Sequence, residues 1–425
     1  MDTHGFALIA AGVILYGLVS KKLEGTIITA PMVFAAFGLL IGEAVFGLAD
    51  LDFGHGFIHG LAEVTLILVL FSDAARIDLR QLRRDHNLPV RMLLIGMPLT
   101  IVVGTLVALA LPLGLGFWEA ALLAAILAPP DAALGQSVVS SPFVPTRIRQ
   151  ALNVESGLND GIALPLVLLF AALAGAAHAG EGSQNWILFG AKQITLGPLA
   201  GLIIGGLGAW LMDRAVVNGW MGESFEGPAI LGVAVLAYAG AEIIGGNGFI
   251  AAFVAGLVYG NLVRDRCSSV FEFAEAEGQL LTLLTFLIFG AVILPEAFGH
   301  ISWSNALYAI LSLTVIRFIP VAISLIGSGV RAPTVAFLGW FGPRGLASIL
   351  FALFVLEEAE VPATDLILTV TIVTVALSIL AHGITAAPAA QRYGEMARRM
   401  GQCEENKPVS EMPTRAGMVR SSGPA

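Results

Sequence analysis

LAPPDAALGQ (127–136) and NVESGLNDGIALP (153–165) decide how this 425-residue chain is read. Both place ionisable side chains inside apolar runs. Pro129 and Pro130 remove backbone donors and clash with the preceding turn, so they break a helix just before Asp131. In the second stretch Ser156 and Asp160 are four residues apart, as are Glu155 and Asn159. On a helix, that spacing gives one face a hydroxyl and a carboxylate and the neighbouring face an acid and an amide. Oxygen donors of these types suit hard cations. Two plainer readings use the same residues: a simple kink, and a polar network that only joins helices.

Working outward, 57% of the chain is hydrophobic and 12% is charged, and mean hydropathy is +0.85. A soluble protein carries about a quarter charged residues. Apolar segments fall near 6–20, 26–48, 57–74, 92–112, 118–140, 150–178, 186–211, 227–244, 248–263, 279–297, 303–328, 333–356 and 364–387, thirteen in all. Their run length, near the roughly 20 residues that span a bilayer, excludes a large soluble core. Backbone groups in lipid must be satisfied internally, so the segments are helices; barrel strands would be shorter and alternate in polarity. The expected fold is therefore an all-α polytopic membrane protein with about 13 transmembrane helices. The first segment lacks a basic leader and a cleavage site and reads as a retained span. Gly201, Gly205, Gly206 and Gly208 in one segment predict close helix packing.

The basic residues orient the chain. With the N-terminus outside, nineteen of the twenty-two Lys and Arg fall in inner loops or the inner tail, and the outer loops hold none. Residues 1–392 then form the transmembrane domain. Residues 393–425 are polar, contain Pro, Gly and Ser, and read as a disordered cytoplasmic tail. Two cysteines, Cys267 and Cys403, exclude a disulfide framework. The seven histidines show no metal-ligand spacing.

Ionisable groups at membrane depth are costly and mark function by default. Glu43, Glu63 and Glu242 lie near segment ends and read as hydrated. Asp73, at the inner end of span three, reads equally as a helix-end charge or a site residue. Asp131, Glu155 and Asp160 lie deeper, as do Arg317 and Arg344. The stretch FLGWFGPRGLASILF (337–351) breaks span twelve around Arg344. Interrupted helices in spans 5 and 12 point to an inverted repeat with a midplane site. A buried arginine needs a counter-charge. Glu155 is the best partner for Arg317, because that pairing leaves Asp160 free.

VESGLNDG (154–161), APPDAALG (128–135), GPRG (342–345) and GNGFIAAFVAGLVYGN (246–261) resemble the bacterial sodium/proton antiporters of the monovalent cation:proton antiporter-1 family, over about 6–390. The resemblance implies a homodimer in the cell inner membrane, with a six-helix core domain moving against a dimerisation domain. It implies that Asp160 binds Na+ or H+ alternately and that Ser156 helps ligate the cation. It also implies that Glu155 pairs with Arg317, that Asp131 contacts Asn159, and that a main-chain carbonyl at Pro130 reaches the ion. In some members Asp73 joins the site. Pro130 and Ala132 stand where the family has threonine and proline, so any hydroxyl role at 130 is lost.

Competition for one carboxylate predicts one cation per proton and no net charge moved. Na+ is the default cargo; Li+ and K+ stay open, with K+/H+ antiport the nearest alternative. A cation channel would show a repeated filter or charged rings. An intramembrane hydrolase would show a nucleophile–base constellation. Neither is visible, and a receptor or scaffold leaves the buried acids unexplained. The expectation is a transporter concerned with pH homeostasis. It is not an enzyme, has no cofactor, and has no nucleic-acid partner.

Overall fold

The structure, a computed structural model, describes residues 3–48, 54–179, 184–263, 268–358, 361 and 363–409. Its helices, in chain order, are α1 (Thr3–Leu23), α2 (Ala30–Ile41), α3 (Gly54–Arg76), α4 (Leu79–Arg84), α5 (Asn87–Arg91), α6 (Met97–Ala110), α7 (Phe117–Ile126), α8 (Ala132–Val139), α9 (Thr146–Ala179) and α10 (Gln184–Val217). They continue with α11 (Glu223–Ile243), α12 (Gly248–Val263), α13 (Ser268–Ile288), α14 (Leu294–Ala297), α15 (Trp303–Leu313), α16 (Val315–Ser324), α17 (Ala332–Trp340), α18 (Leu346–Glu358) and α19 (Thr364–Arg399). Single π-helical turns, Met92–Gly96 and Phe289–Ile293, join α5 to α6 and α13 to α14. No strand occurs among the described residues.

Each of the thirteen apolar segments falls on one helix or on a helix pair. Eight of the resulting helices are long and apolar enough to cross a bilayer; Ala30–Ile41, Phe117–Ile126 and Gly248–Val263 are shorter and apolar. The outward faces are greasy. Leu202, Ile203, Leu207, Trp210 and Leu211 on α10 are exposed, as are Val102, Leu106 and Leu109 on α6. Such a large apolar exterior fits lipid as the solvent.

The helices sort into two bundles. One contains α2, α3 and α10–α14; the other contains α6–α9 and α15–α19. Small residues close the first bundle. A Cβ on Gly201 would lie 2.4 Å from the Ala251 carbonyl oxygen, and one on Gly256 would lie 2.1 Å from that of Phe71. Only glycine lets these backbones approach so closely. The bundles meet where α9 crosses α3 and α12, and α9 carries the deep acids.

The expectation of disorder from residue 393 is corrected. The apolar stripe of α19 continues past 392: Tyr393, Gly394 and Ala397 are buried, while Arg392, Glu395, Arg398 and Arg399 face outward. The chain then turns back in a strap. Arg147, in the first turn of α9, donates to the Glu404 carbonyl and carboxylate, both at 2.6 Å. Glu405 is fully buried. Its Oε1 accepts the Arg331 N–H at 2.7 Å and the Thr334 hydroxyl at 2.9 Å. Residues 410–425 of the expected tail lie outside the described residues.

Hydrogen bonds from Lys407 and Arg147 hold the Glu404 carboxyl below its ordinary range. Burial pushes Glu405 up, but the Arg331 N–H and the other donors outweigh it, so it too is lowered. Depressed carboxylates stabilise the folded strap fully above their ordinary pKa of about 4.3, and this is lost as pH falls through the lowered values. The strap is therefore expected to stay docked across neutral pH and to release only in strong acid. Glu405→Ala is expected to release it at neutral pH, read as faster amide exchange over 403–409; unchanged exchange would refute the clamp.

Candidate ion-binding site

The site is built from two helix breaks that face each other. Helix α7 ends at Ile126 and α8 begins at Ala132; α17 ends at Trp340 and α18 begins at Leu346. The intervening residues have no regular structure, so their backbone groups need partners elsewhere. Each break supplies them to the other. The Asp131 N–H donates to the Pro343 carbonyl at 2.7 Å. The Asp131 carboxylate accepts the Leu134 N–H at 2.8 Å, capping α8, and the Leu346 N–H at 3.1 Å, capping α18. One carboxylate thus sits at the positive ends of two half-helices. The Ser348 hydroxyl donates to the Ile126 carbonyl at 2.8 Å, closing the end of α7.

Gly345 is fitted to this crossing, because a Cβ there would lie 2.3 Å from Asp131 Cγ. Arg344 is wholly buried. Its N–H donates to the Ser378 hydroxyl at 2.7 Å and its guanidinium to the Gly342 carbonyl at 3.1 Å. His382 braces the same corner by bonding the Trp340 carbonyl through Nε2 at 2.9 Å. Sequence reading missed Ser378 and His382, although two polar residues four apart in an apolar span were a usable signal.

Helix α9 brings the acids to the crossing. Asn159 donates through Nδ2 to the Pro130 carbonyl at 2.5 Å. Its buried Oδ1 accepts no hydrogen bond. The amide is therefore locked to the backbone of the break, at the residue that precedes Asp131. The Asp131 carboxylate serves two backbone N–H groups, and the acceptor of the Asn159 amide is the carbonyl that precedes it. Pro130 enters the site through that carbonyl, which keeps a second lone pair.

Ser156 and Asp160 lie on the adjoining face of α9, both less than a tenth exposed. Phe253 of α12 packs against Gly161, and the Asp73 carbonyl of α3 lies 3.6 Å from where a Cβ on Gly157 would be. Asp73 is thus brought beside α9 from the other bundle. Among the described residues, no three Asp, Glu, His or Cys side chains converge as a metal cluster. A cation at Asp160 would therefore draw on mixed donors: a carboxylate, a hydroxyl, an amide oxygen and carbonyls.

Glu155 faces α16. Arg317 grips it in two parallel bonds, 2.6 and 2.8 Å, with both residues almost wholly buried. The arginine also reaches the Leu338 carbonyl at 3.5 Å, tying α9 to α16 and α17. In formal charge, Glu155 and Asp131 balance Arg317 and Arg344. Asp160 adds one negative charge, which a bound cation or proton cancels.

This architecture, two crossed broken helices beside a helix of buried acids, defines a membrane carrier for a small cation. The chain matches the family described as sodium/hydrogen exchanger, transmembrane, over residues 7–392, and it belongs to that family. It is a multi-pass membrane antiporter for cations and protons. It is 27% identical over 399 residues to the K+/H+ antiporter NhaP of Alkalimonas amylolytica, covering 92% of this chain and 67% of that protein. It is 28% identical over 346 residues to the Na+/H+ antiporter NhaP of Pseudomonas aeruginosa, covering 76% of this chain and 78% of that one. The chain spans about two thirds of the length of several of its curated relatives. Its fold matches that of the sodium proton antiporter MjNhaP1 from Methanocaldococcus jannaschii, with TM-score 0.75 and 22% identity over 94% of this chain and 99% of that one.

Removing one partner of a buried ion pair leaves the other charge uncompensated, at a cost of about 3–5 kcal/mol. Glu155→Gln and Arg317→Gln are each expected to lower thermal stability in lipid strongly. The exchanged pair, Glu155→Arg with Arg317→Glu, is expected to recover part of it. A melting temperature unmoved by either single change would contradict the assigned role.

Proposed function

We propose that the protein exchanges one Na+ for one H+ across the membrane, the two competing for the Asp160 carboxylate. The observation that carries this reading is the buried Asp160 on the same helix face as Ser156, beside an Asn159 amide fixed on the broken backbone at Pro130. Ser156 and the Asn159 Oδ1 are the further oxygens offered to the cation. Because Asn159 does not titrate, one carboxylate takes one proton or one cation, and the exchange is electroneutral.

Alternating access follows from the same charge. A bare carboxylate resists transfer through a low-dielectric barrier, whereas a neutralised one does not. The bundle of α6–α9 and α15–α19 would move as the core domain against the bundle of α2, α3 and α10–α14. Thirteen crossings would place the N-terminus outside and the basic end, with the 393–425 segment, in the cytoplasm. A homodimer formed through the bundle of α2, α3 and α10–α14 in the cell membrane completes the reading. The site makes no covalent change in a substrate and calls for no cofactor, so the protein is read as a carrier and not an enzyme. K+ is the second candidate cargo, favoured by the K+/H+ antiporter among the relatives.

Proton-flux assays in proteoliposomes with Na+, K+ and Li+ are expected to show cation-dependent exchange by the native chain. Asp160→Asn is expected to give background flux with its melting temperature retained. Exchange surviving in that variant would end the assignment of Asp160.

A further inference from the structure

A cavity of about 60 Å³ opens between the two bundles near the end of α3. Its wall includes Ser72 and Arg76 of α3, Ala133 and Gln136 of α8, and Gln279 and Thr282 of α13. Roughly 10–15 Å³ of such volume holds one water, so this notch has room for a few waters or a partly hydrated cation. Its walls include chain neighbours of the ion-site residues. Ala133 lies two residues beyond Asp131, and Asp73, next to Ser72, packs its backbone against α9 at Gly157.

Arg76 is the unexpected wall residue. It occupies the last turn of α3, where an arginine ordinarily faces solvent and offsets the helix dipole. Arg80, Arg83 and Arg84, just beyond, are exposed in that manner, whereas Arg76 is 8% exposed. Its Nη1 lies 4.0 Å from Asp73 Oδ1. A fixed positive charge therefore stands in the wall of this notch, held toward an acid on the same helix.

We propose that Arg76 is a tethered competitor of the transported cation, and so a determinant of apparent cation affinity from the basic side. With no cation in the notch, the guanidinium holds Asp73 and fills part of the space. An entering cation meets its charge and must take over its contacts one for one. Arg76 is thus a positioning residue that acts through Asp73 and the notch. This inference rests on the exchanger reading.

The test measures KM and kcat for Na+, K+ and Li+ in proteoliposomes at one fixed pH, with the native chain and Asp160→Asn as controls. Arg76→Gln is expected to lower the cation KM about fivefold, the scale of one screened charge at this distance, with kcat little changed. Arg76→Lys, which keeps the charge, should return KM toward the native value. Gln136→Lys, which adds a positive charge to the same wall from α8, should raise KM, and it gives a reading even where Arg76→Gln does not fold. An unchanged or raised KM in Arg76→Gln overturns the proposal, as does an unchanged KM in Gln136→Lys. A native chain that exchanges nothing, or an active Asp160→Asn, fails the exchanger reading itself and is told apart by those controls.

Discussion

Two helices that stop inside a low-dielectric slab leave carbonyl and N–H groups that water cannot reach, and every other feature of the site depends on how these groups are satisfied. Here the two breaks satisfy each other. Asp131 bonds the backbone of both α8 and α18, its own N–H is taken by Pro343, and Ser348 closes the end of α7. An unpaired polar group at this depth costs several kcal/mol, so the crossing leaves little slack. It also leaves backbone and amide oxygens at the middle of the bundle, the only kind of irregular backbone a membrane interior tolerates.

The charges divide the labour. The Glu155–Arg317 pair is short, bidentate and almost wholly buried. It fixes the rotation of α9 against α16, so that Ser156 and Asp160 point elsewhere. The Arg344 guanidinium bonds the Gly342 carbonyl within the second break, and Asp131 caps the N–H ends of α8 and α18. On the proposed reading, with these formal charges in balance, the state of Asp160 decides whether the moving part carries a net charge. Coupling then needs no gate with moving latches. It needs only that a charged core crosses the barrier poorly and a neutral one crosses well.

Much of this was legible in the sequence for identifiable reasons. Pro129 and Pro130 announced one break, and Gly342, Pro343 and Gly345 the other, because glycine and proline act on the backbone locally. Ser156, Asn159 and Asp160 stood out because polar residues in a membrane run are costly and their spacing is that of a helix. Glu155 and Arg317 could be matched because few deep charges existed to match. The partners of Asp131 were not legible, since Leu346 lies 215 residues away and a backbone N–H has no letter. The strap at 404–406 was hidden by a polar composition whose buried members alternate with exposed ones. The inward turn of Arg76 was hidden because its position is where helix-end arginines usually meet water.

The central claim is that cation and proton are alternatives at a single carboxylate. It is tested most directly by adding cation to the purified protein in weakly buffered solution, near the midpoint of the site's titration, and counting protons released. The account predicts one proton per cation bound, fading to none at pH values where the site is already deprotonated. Saturable cation binding with no proton release at any pH would contradict it.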